Sequence, residues 1–259
     1  MSHSHSGETE STSTFPDSYI DTLGPEEARY LSFHQARFTY LATEVLRLAT
    51  LHSHPQVPVS VLDIGPHFQT TLFRQALGRS ATINTLGWEN AERIVPPDVV
   101  NAHYLFDLND SPYQERWIDG PQHDIIVMAE VFEHLYTAPD YFLGFLQKHL
   151  KPGGHLLIGT PNAVSLDKRL GVLRGYNPYE RIRVTLNNPG HFREYIPAEL
   201  TAYAQATGFS VTQTTLSDFY ASSPVKGFIK QVLPTLRDCI HIVFQKTDQS
   251  HQPVNLTIW

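Results

Sequence analysis

The stretch Val59-Ser-Val-Leu-Asp-Ile-Gly-Pro-His-Phe-Gln-Thr70 limits what this chain can fold into more than any other. Val59, Val61, Leu62 and Ile64 make a nearly continuous apolar run behind Pro58. β-branched residues at that density predict a strand buried on both faces, the central strand of a parallel sheet. The run ends at Asp63 and Gly65 and crosses a polar loop into Thr70-Thr-Leu-Phe-Arg-Gln-Ala-Leu-Gly78. The apolar spacing and closing glycine of that segment predict a short helix. A strand, a glycine-marked turn and a helix N-terminus direct backbone amides at one place, where a nucleotide-like ligand can lie.

The same alternation continues along the chain. Residues 1–14 are rich in Ser, Thr, His and Gly and predict a disordered tail. Residues 15–54 predict a helical cap opened by Pro25, with Leu31, Phe38, Leu41, Val45 and Leu48 on its buried stripe. Its other face carries Tyr30, His34, Arg37 and Tyr40; His34 reads as a solvated surface residue, and Arg37 stays open between solvent and a ligand pocket. The main domain is expected over 55–248. Ala81–Glu89 and Ala102–Asp110 read as strands that deliver Glu89 and Asp107 to one rim of the sheet. Ile125–Ala129 is another strand, running directly into Glu130, Glu133 and His134, with Glu133 read as the start of the next turn. Thr137-Ala-Pro-Asp140 has the spacing of a capping box for a helix that buries Phe142, Leu143, Leu146 and Leu150. A further strand follows at His155–Asn162, then a helix over Pro197–Gly208, strands at Ser210–Leu216 and Cys239–Lys246, and a helical segment between them from Val225 to Leu233. Strands and helices at this spacing give an α/β doubly wound sheet.

Residues 163–190 interrupt the pattern and suit a lid or binding segment, with a solvated insertion bearing ordinary surface charges as the competing reading. They hold five basic residues against two acidic ones, in a chain whose formal net charge is -7, and Val164, Leu170 and Leu173 are expected to anchor a short amphipathic helix there. That acidic balance predicts no nucleic-acid partner. A single cysteine, Cys239, excludes an internal disulfide framework and an all-cysteine metal cluster, which fits a reducing, cytoplasmic setting. No apolar run is long enough to span a bilayer, and the N-terminus lacks the pattern of a signal peptide. No metal-ligand set is read from the spacing of the histidines and acids. Residues 249–259 predict a loose tail.

Taken in order, Val-Leu-Asp-Ile-Gly, Leu-Gly-Trp-Glu, Phe-Asp-Leu-Asn, Asp-Ile-Ile-Val-Met-Ala-Glu-Val-Phe-Glu-His-Leu and Leu-Lys-Pro-Gly-Gly-His-Leu-Leu-Ile-Gly-Thr-Pro-Asn make the chain resemble the class I S-adenosylmethionine-dependent methyltransferases. The resemblance covers roughly residues 55–246 and is closest to the small-molecule, lipid, quinone and glycan branch. It implies a Rossmann-like sheet of seven mostly parallel strands, the last antiparallel beside the fifth, with S-adenosylmethionine across the carboxyl ends. It also implies site residues. Asp63 and Gly65 would belong to the cofactor loop, Glu89 would accept the ribose hydroxyls, Asp107 the adenine amino group, Leu108 would pack near the ring, and Glu130 would face the methionine portion. Where the family has Gly-x-Gly-x-Gly, this chain reads Gly65-Pro-His-Phe-Gln-Thr70, and Thr70 or Gln69 is expected to replace the lost amide contacts.

The function implied is methyl transfer, with oxygen of a small molecule, a lipid-linked acceptor or a sugar as the preferred nucleophile. An oxygen acceptor needs a base, for which His134 is the first candidate and His191 the second, with Arg193 available to an anionic group. For His134 a purely structural imidazole, bonded to backbone and holding the loop, is the competing reading, and a structural role competes for His191 as well. A methyltransferase-like scaffold without turnover is the alternative motivated by the missing glycines. A nicotinamide-dependent oxidoreductase is disfavoured because no Gly-x-Gly-x-x-Gly follows the central strand.

Overall fold

In the computed structural model the apolar run after Pro58 becomes β1 (Ser60–Ile64), buried along its whole length near the middle of a seven-stranded sheet. The structure describes residues 15, 17–54, 56–88, 94–185 and 189–247; Glu89 and the expected tails over 1–14 and 249–259 lie outside the described residues. β1 pairs in parallel with β2 (Thr82–Gly87) on one side and β4 (His123–Ala129) on the other, so that Leu62 faces Asn84 and Ile126. β3 (Ala102–Leu105) continues the parallel sheet beyond β2, and β5 (Leu150–Pro161) continues it beyond β4. β7 (Cys239–Lys246) lies antiparallel between β5 and β6 (Phe209–Ser217), giving the order β3-β2-β1-β4-β5-β7-β6. Strand order reverses between β1 and β4, and in open α/β sheets that reversal opens a crevice at the carboxyl ends.

Alternating side chains of the central strands feed two apolar layers, which is why the strands read as continuous hydrophobic runs. Leu62, Ile64, Ile126, Met128, Leu156 and Ile158 face one side, against Phe142, Phe145 and Leu146 of α4 (Pro139–Lys148) and Leu200 and Ala204 of α6 (Pro197–Ala206). Val61, Ile83, Ile125, Val127 and Leu157 face the other, against Leu41, Val45 and Leu48 of α2 (Pro25–Leu51) and Phe68, Leu72 and Phe73 of α3 (Phe68–Leu77). Each fully buried side chain of this kind is worth about 1.5–3 kcal/mol relative to exposure. A single turn, α1 (Asp17–Ile20), precedes α2, and α5 (Leu166–Leu173) and α7 (Pro224–Val232) complete the α-helices of the described residues. None of these helices is long and apolar enough to cross a membrane.

Three local expectations are corrected. α3 begins at Phe68 rather than Thr70, because the Phe68 ring is wholly buried and Thr70 Oγ1 accepts the His67 backbone N–H at 3.1 Å. The capping box at Thr137-Ala-Pro-Asp140 does not form. α4 starts at Pro139 behind Ala138, its first φ preset by the proline ring, while the Thr137 N–H points 3.4 Å from Asn109 Oδ1. In α5 the buried positions are Leu166 and Gly171; Leu173 is 82% exposed and anchors nothing.

Candidate active site

The carboxyl ends of β1, β2 and β4 open into a cavity of about 760 Å³. Ile64 and Gly65 form one part of its wall, Leu86, Gly87 and Trp88 another, and Phe106 to Asn109, after β3, a third. Glu130 and Val131 enter from β4, and Tyr30, His34 and Arg37 close it from α2. Of the expected cofactor residues, Gly65, Asp107, Leu108 and Glu130 therefore share one cavity, together with both His134 and His191.

Gly65 turns with φ +67°, and a Cβ there would stand 2.7 Å from Val131 Cγ2. Conformation and space both require glycine at this one point of the loop. The next residues solve the absence of further glycines differently. Phe68 turns into the core under α2, whereas His67 faces the cavity, stacked at 5.9 Å on Phe38 and 5.1 Å from Tyr30. Burial, reinforced by the Arg37 charge, brings His67 down to about 4, so it is a neutral imidazole at physiological pH.

Thr70 and Asp63 do not line the cavity. Both are fully buried behind the loop, where Thr70 Oγ1 donates to Asp63 Oδ2 at 2.6 Å. Gln69 Nε2 reaches Asp63 Oδ2 and the Gly65 carbonyl, each at 3.4 Å. The side chains expected to replace amide contacts thus hold the loop's shape from behind. Burial pushes the Asp63 carboxyl up to about 7, against the bonds from Thr70 and Gln69. The folded chain therefore holds this proton more tightly than the unfolded one. The Asp63 contribution to stability is complete below about pH 4 and declines as pH rises to about 7. Asp63→Asn is expected to flatten that decline, seen as urea midpoints at pH 5 and pH 7 that lie closer together than in the parent chain; equal slopes would remove Asp63 as their source.

Glu130 is the one non-glycine residue with positive φ among the described residues, at 55°. Such a conformation costs on the order of 1–2 kcal/mol and persists where surroundings enforce it. Here the Glu130 N–H donates to the Gly159 carbonyl at 2.8 Å, and Arg37 Nη1 meets Glu130 Oε2 at 2.7 Å. Glu130 Oε1 has no hydrogen-bond partner. Burial raises the Glu130 carboxyl above its ordinary value while the Arg37 charge works the other way. Burial likewise opposes the Arg37 charge, but Glu130, with Tyr220 and Tyr30, outweighs it and holds the guanidinium above its usual range. Arg37 also donates to Tyr220 Oη at 3.3 Å, and Tyr220 Oη lies 3.0 Å from His34 Nδ1. His34 is drawn down to about 4 by burial and then by Arg37, so the ring that meets Tyr220 Oη is neutral. The solvated reading of His34 is corrected: it and Arg37 belong to the cavity wall.

Asp107 is fixed by a short local network. Its Oδ1 accepts the Asn109 backbone N–H at 2.9 Å and Asn109 Nδ2 at 3.0 Å, and Asn109 Oδ1 accepts the Tyr136 N–H at 2.9 Å. Leu108, nearly buried, presents its side chain beside it. Glu89 follows directly on the Gly87–Trp88 wall in sequence and lies outside the described residues.

The remaining wall is built from the one-turn helix Phe132–His134 and the segment around Gly190. Glu133, read from sequence as a simple turn residue, is completely buried, and its Oε2 accepts Thr160 Oγ1 at 2.9 Å. Burial, then the Glu130 charge, raises its carboxyl well above the ordinary value. The Glu133 carbonyl accepts the Phe192 N–H at 2.8 Å, tying this turn to the segment that follows Gly190. His134 Nδ1 lies 2.9 Å from the Gly190 carbonyl, so Nδ1 carries a proton and, in the neutral ring, Nε2 is the nitrogen with the lone pair. The His191 ring stands edge-on to it at 4.9 Å, with Nδ1 2.9 Å from Glu194 Oε1 and Nε2 3.0 Å from Glu180 Oε2. Arg193 is engaged by Glu199 at 2.5 Å and borders a second cavity of about 760 Å³. That cavity is also lined by Tyr179 and Arg181, and it shares Glu180 and His191 with the first.

Comparison with known proteins agrees with this architecture. A family model described as a methyltransferase domain matches residues 33–214. A probable S-adenosylmethionine-dependent methyltransferase of Mycolicibacterium smegmatis is 34% identical over 116 residues, covering 44% of this chain and 40% of that protein. The mitochondrial ubiquinone biosynthesis O-methyltransferase of Dictyostelium discoideum is 24% identical over 172 residues, covering 61% of this chain and 52% of that protein. The chain thus spans about half the length of the curated relatives it matches. Among solved structures, the N-methyltransferase NodS of Bradyrhizobium japonicum in complex with S-adenosyl-L-homocysteine superposes with a TM-score of 0.50 at 15% identity, covering 89% of this chain and 97% of that one. With the family model matched along most of its length and the strand order described above, the chain belongs to the methyltransferase domain family, with the class I fold whose methyl donor is S-adenosylmethionine.

Proposed function

We propose that the chain transfers the methyl group of S-adenosylmethionine to an oxygen of a small hydroxylated acceptor. The observation that carries this reading is the convergence of Gly65, Asp107, Leu108 and Glu130 with His134 and His191 on one cavity. Several features fit the donor. The Gly65 turn lets backbone come close where a Cβ would collide, Glu130 Oε1 is a buried acceptor without a partner, and Phe106 and Leu108 give an apolar wall beside the Asp107 carboxylate. Asp107 would receive the adenine amino group with Leu108 against the ring, Glu89 the ribose hydroxyls, and Glu130 the ammonium of the methionine portion. Asp63 and Thr70 would act indirectly, by fixing the loop.

The donor supplies a methyl group on a positively charged sulfur, so displacement needs alignment and dryness more than further activation. Tyr30, His34, Arg37 and Tyr220 form a hydrogen-bonded cover over that end of the cavity. The adjoining cavity gives an acceptor a route past Tyr179 and Arg181 to the shared His191. An attacking hydroxyl must give up its proton, and the Nε2 lone pair of His134 is the acceptor-side group on this wall. A base on this wall favours oxygen, because a neutral hydroxyl is a weak nucleophile until its proton is drawn off, whereas a neutral amine attacks without that help. Incubating the chain with methyl-labelled donor and matched panels of phenols, sugars, lipid-linked alcohols and amines tests the reading. Label is expected in a hydroxylated compound; label confined to amines would overturn the choice of oxygen.

A further inference from the structure

We propose that Glu133, His134 and His191 form a divalent-cation site on the acceptor side of the cavity, whose open positions take oxygen atoms of the acceptor. The second half of this proposal rests on the methyl-transfer reading; the cation site itself does not. One donor atom from each of the three residues lies within 4.8 Å of the other two. Bonds of about 2.0–2.2 Å to nitrogen and oxygen set tetrahedral donors roughly 3.3–3.6 Å apart, so side-chain rotations must draw the three groups together around the ion.

The surroundings of each donor point the same way. Glu133 is completely buried, its Oε2 is fixed by Thr160, and its Oε1 has no hydrogen-bond partner. A carboxylate oxygen left alone in the interior is costly, and a cation is the partner that would satisfy it. Metal-binding histidines characteristically donate their second ring N–H to a carbonyl or carboxylate, which fixes the tautomer and aims the other nitrogen. Both histidines have that arrangement: His134 Nδ1 on the Gly190 carbonyl at 2.9 Å, and His191 Nδ1 on Glu194 at 2.9 Å, with Glu194 itself held by Lys168. His134 Nε2 remains as a ligand, and His191 Nε2, 3.0 Å from Glu180 Oε2, becomes one when that carboxylate turns away. Glu180, which now faces His191 Nε2, also pairs with Arg183, so it keeps a cationic partner when it yields that nitrogen.

Two imidazoles and one carboxylate suit zinc, manganese, cobalt or iron in the divalent state better than magnesium or calcium, which favour all-oxygen shells. His134 and His191 line the cavity and Glu133 lies behind them, so the unfilled positions face the acceptor. A hydroxyl held there loses its proton to water more readily. Its oxygen then forms the new bond to the methyl carbon as the carbon–sulfur bond breaks and S-adenosylhomocysteine leaves. In this arrangement His134 holds the cation rather than taking the proton itself.

Titrating metal-free full-length chain with Mn²⁺, followed by the electron paramagnetic resonance signal of the free ion, tests the site. One ion per chain is expected. His134→Gln and His191→Asn should each weaken uptake at least tenfold with the thermal transition retained, and Glu194→Gln, which removes no ligand, by about 10–100-fold. Replacing His3 and His5 together should change nothing. No stoichiometric uptake, or uptake indifferent to the three substitutions, would overturn the site. Calorimetry with S-adenosylhomocysteine on the same metal-free sample separates the two ideas: that ligand bound without Mn²⁺ uptake refutes the cation alone, and Mn²⁺ bound without that ligand upholds the cation and removes the methyl-transfer reading.

Discussion

Gly65→Ala is expected to destabilise the chain by about 2–5 kcal/mol and to weaken S-adenosylhomocysteine binding at least tenfold. The left-handed φ of +67° costs an L-residue roughly 1–2 kcal/mol. The added methyl would also meet Val131 Cγ2 at 2.7 Å, far inside van der Waals contact, so the β1 loop and the turn after β4 must separate, at a typical overpacking cost of about 1–3 kcal/mol. Those two segments are opposite lips of the crevice. The double variant Gly65→Ala/Val131→Ala removes the collision and keeps the strained φ, so a double-mutant cycle should show coupling of about 1 kcal/mol or more. Urea denaturation of the four chains provides the measurement. Additive effects would mean that the two segments do not press on each other as described.

Arg37→Leu should cost about 3 kcal/mol. Deleting one partner of a buried ion pair typically costs about 3–5 kcal/mol because the other charge is stranded, and the lower end applies here since 24% of the Glu130 side chain is exposed and open to hydration. Adding Glu130→Gln removes the stranded charge, and the double variant should recover most of the loss. Chemical denaturation of both variants decides this. A double variant no more stable than Arg37→Leu would show that Arg37 acts by packing under Tyr30 and Tyr220 instead of by neutralising Glu130.

These two residues also mark where the sequence could and could not be read. β1, β4 and the buried stripe of α2 were legible because burial on both faces, or on one helical face, leaves a period in the apolar residues. The strand order and the antiparallel β7 agree with what the family resemblance implied. Arg37 was not legible, since helical periodicity separates core from non-core positions but does not tell a solvated face from one that roofs a cavity. Its partner Glu130 sits one residue past β4 in a conformation that no local pattern announces. The apparent capping box at Thr137 failed because Pro139 fixes the helix start, and Asn109, remote in sequence, takes up the loop's N–H groups.

On the acceptor side the limit was distance along the chain. Glu133, His134 and His191 come together only because the segment 190–192 returns to donate the Phe192 N–H to the Glu133 carbonyl and present the Gly190 carbonyl to His134. Spacing within a short window cannot show that. Tyr220, which bridges His34 and Arg37, lies in a connection without any motif, and only the packing of α2 against the end of the sheet reveals it.

The central claim is that one adenosyl donor occupies the cavity between the β1 loop and Asp107. Isothermal titration of S-adenosylhomocysteine into the full chain and into Asp107→Ala tests it most directly. One molecule should bind per parent chain, with affinity lowered by about 1.5–3 kcal/mol in the variant, the worth of a hydrogen bond to a charged group. No heat of binding from the parent chain at millimolar ligand, or equal affinity in the two, would contradict it.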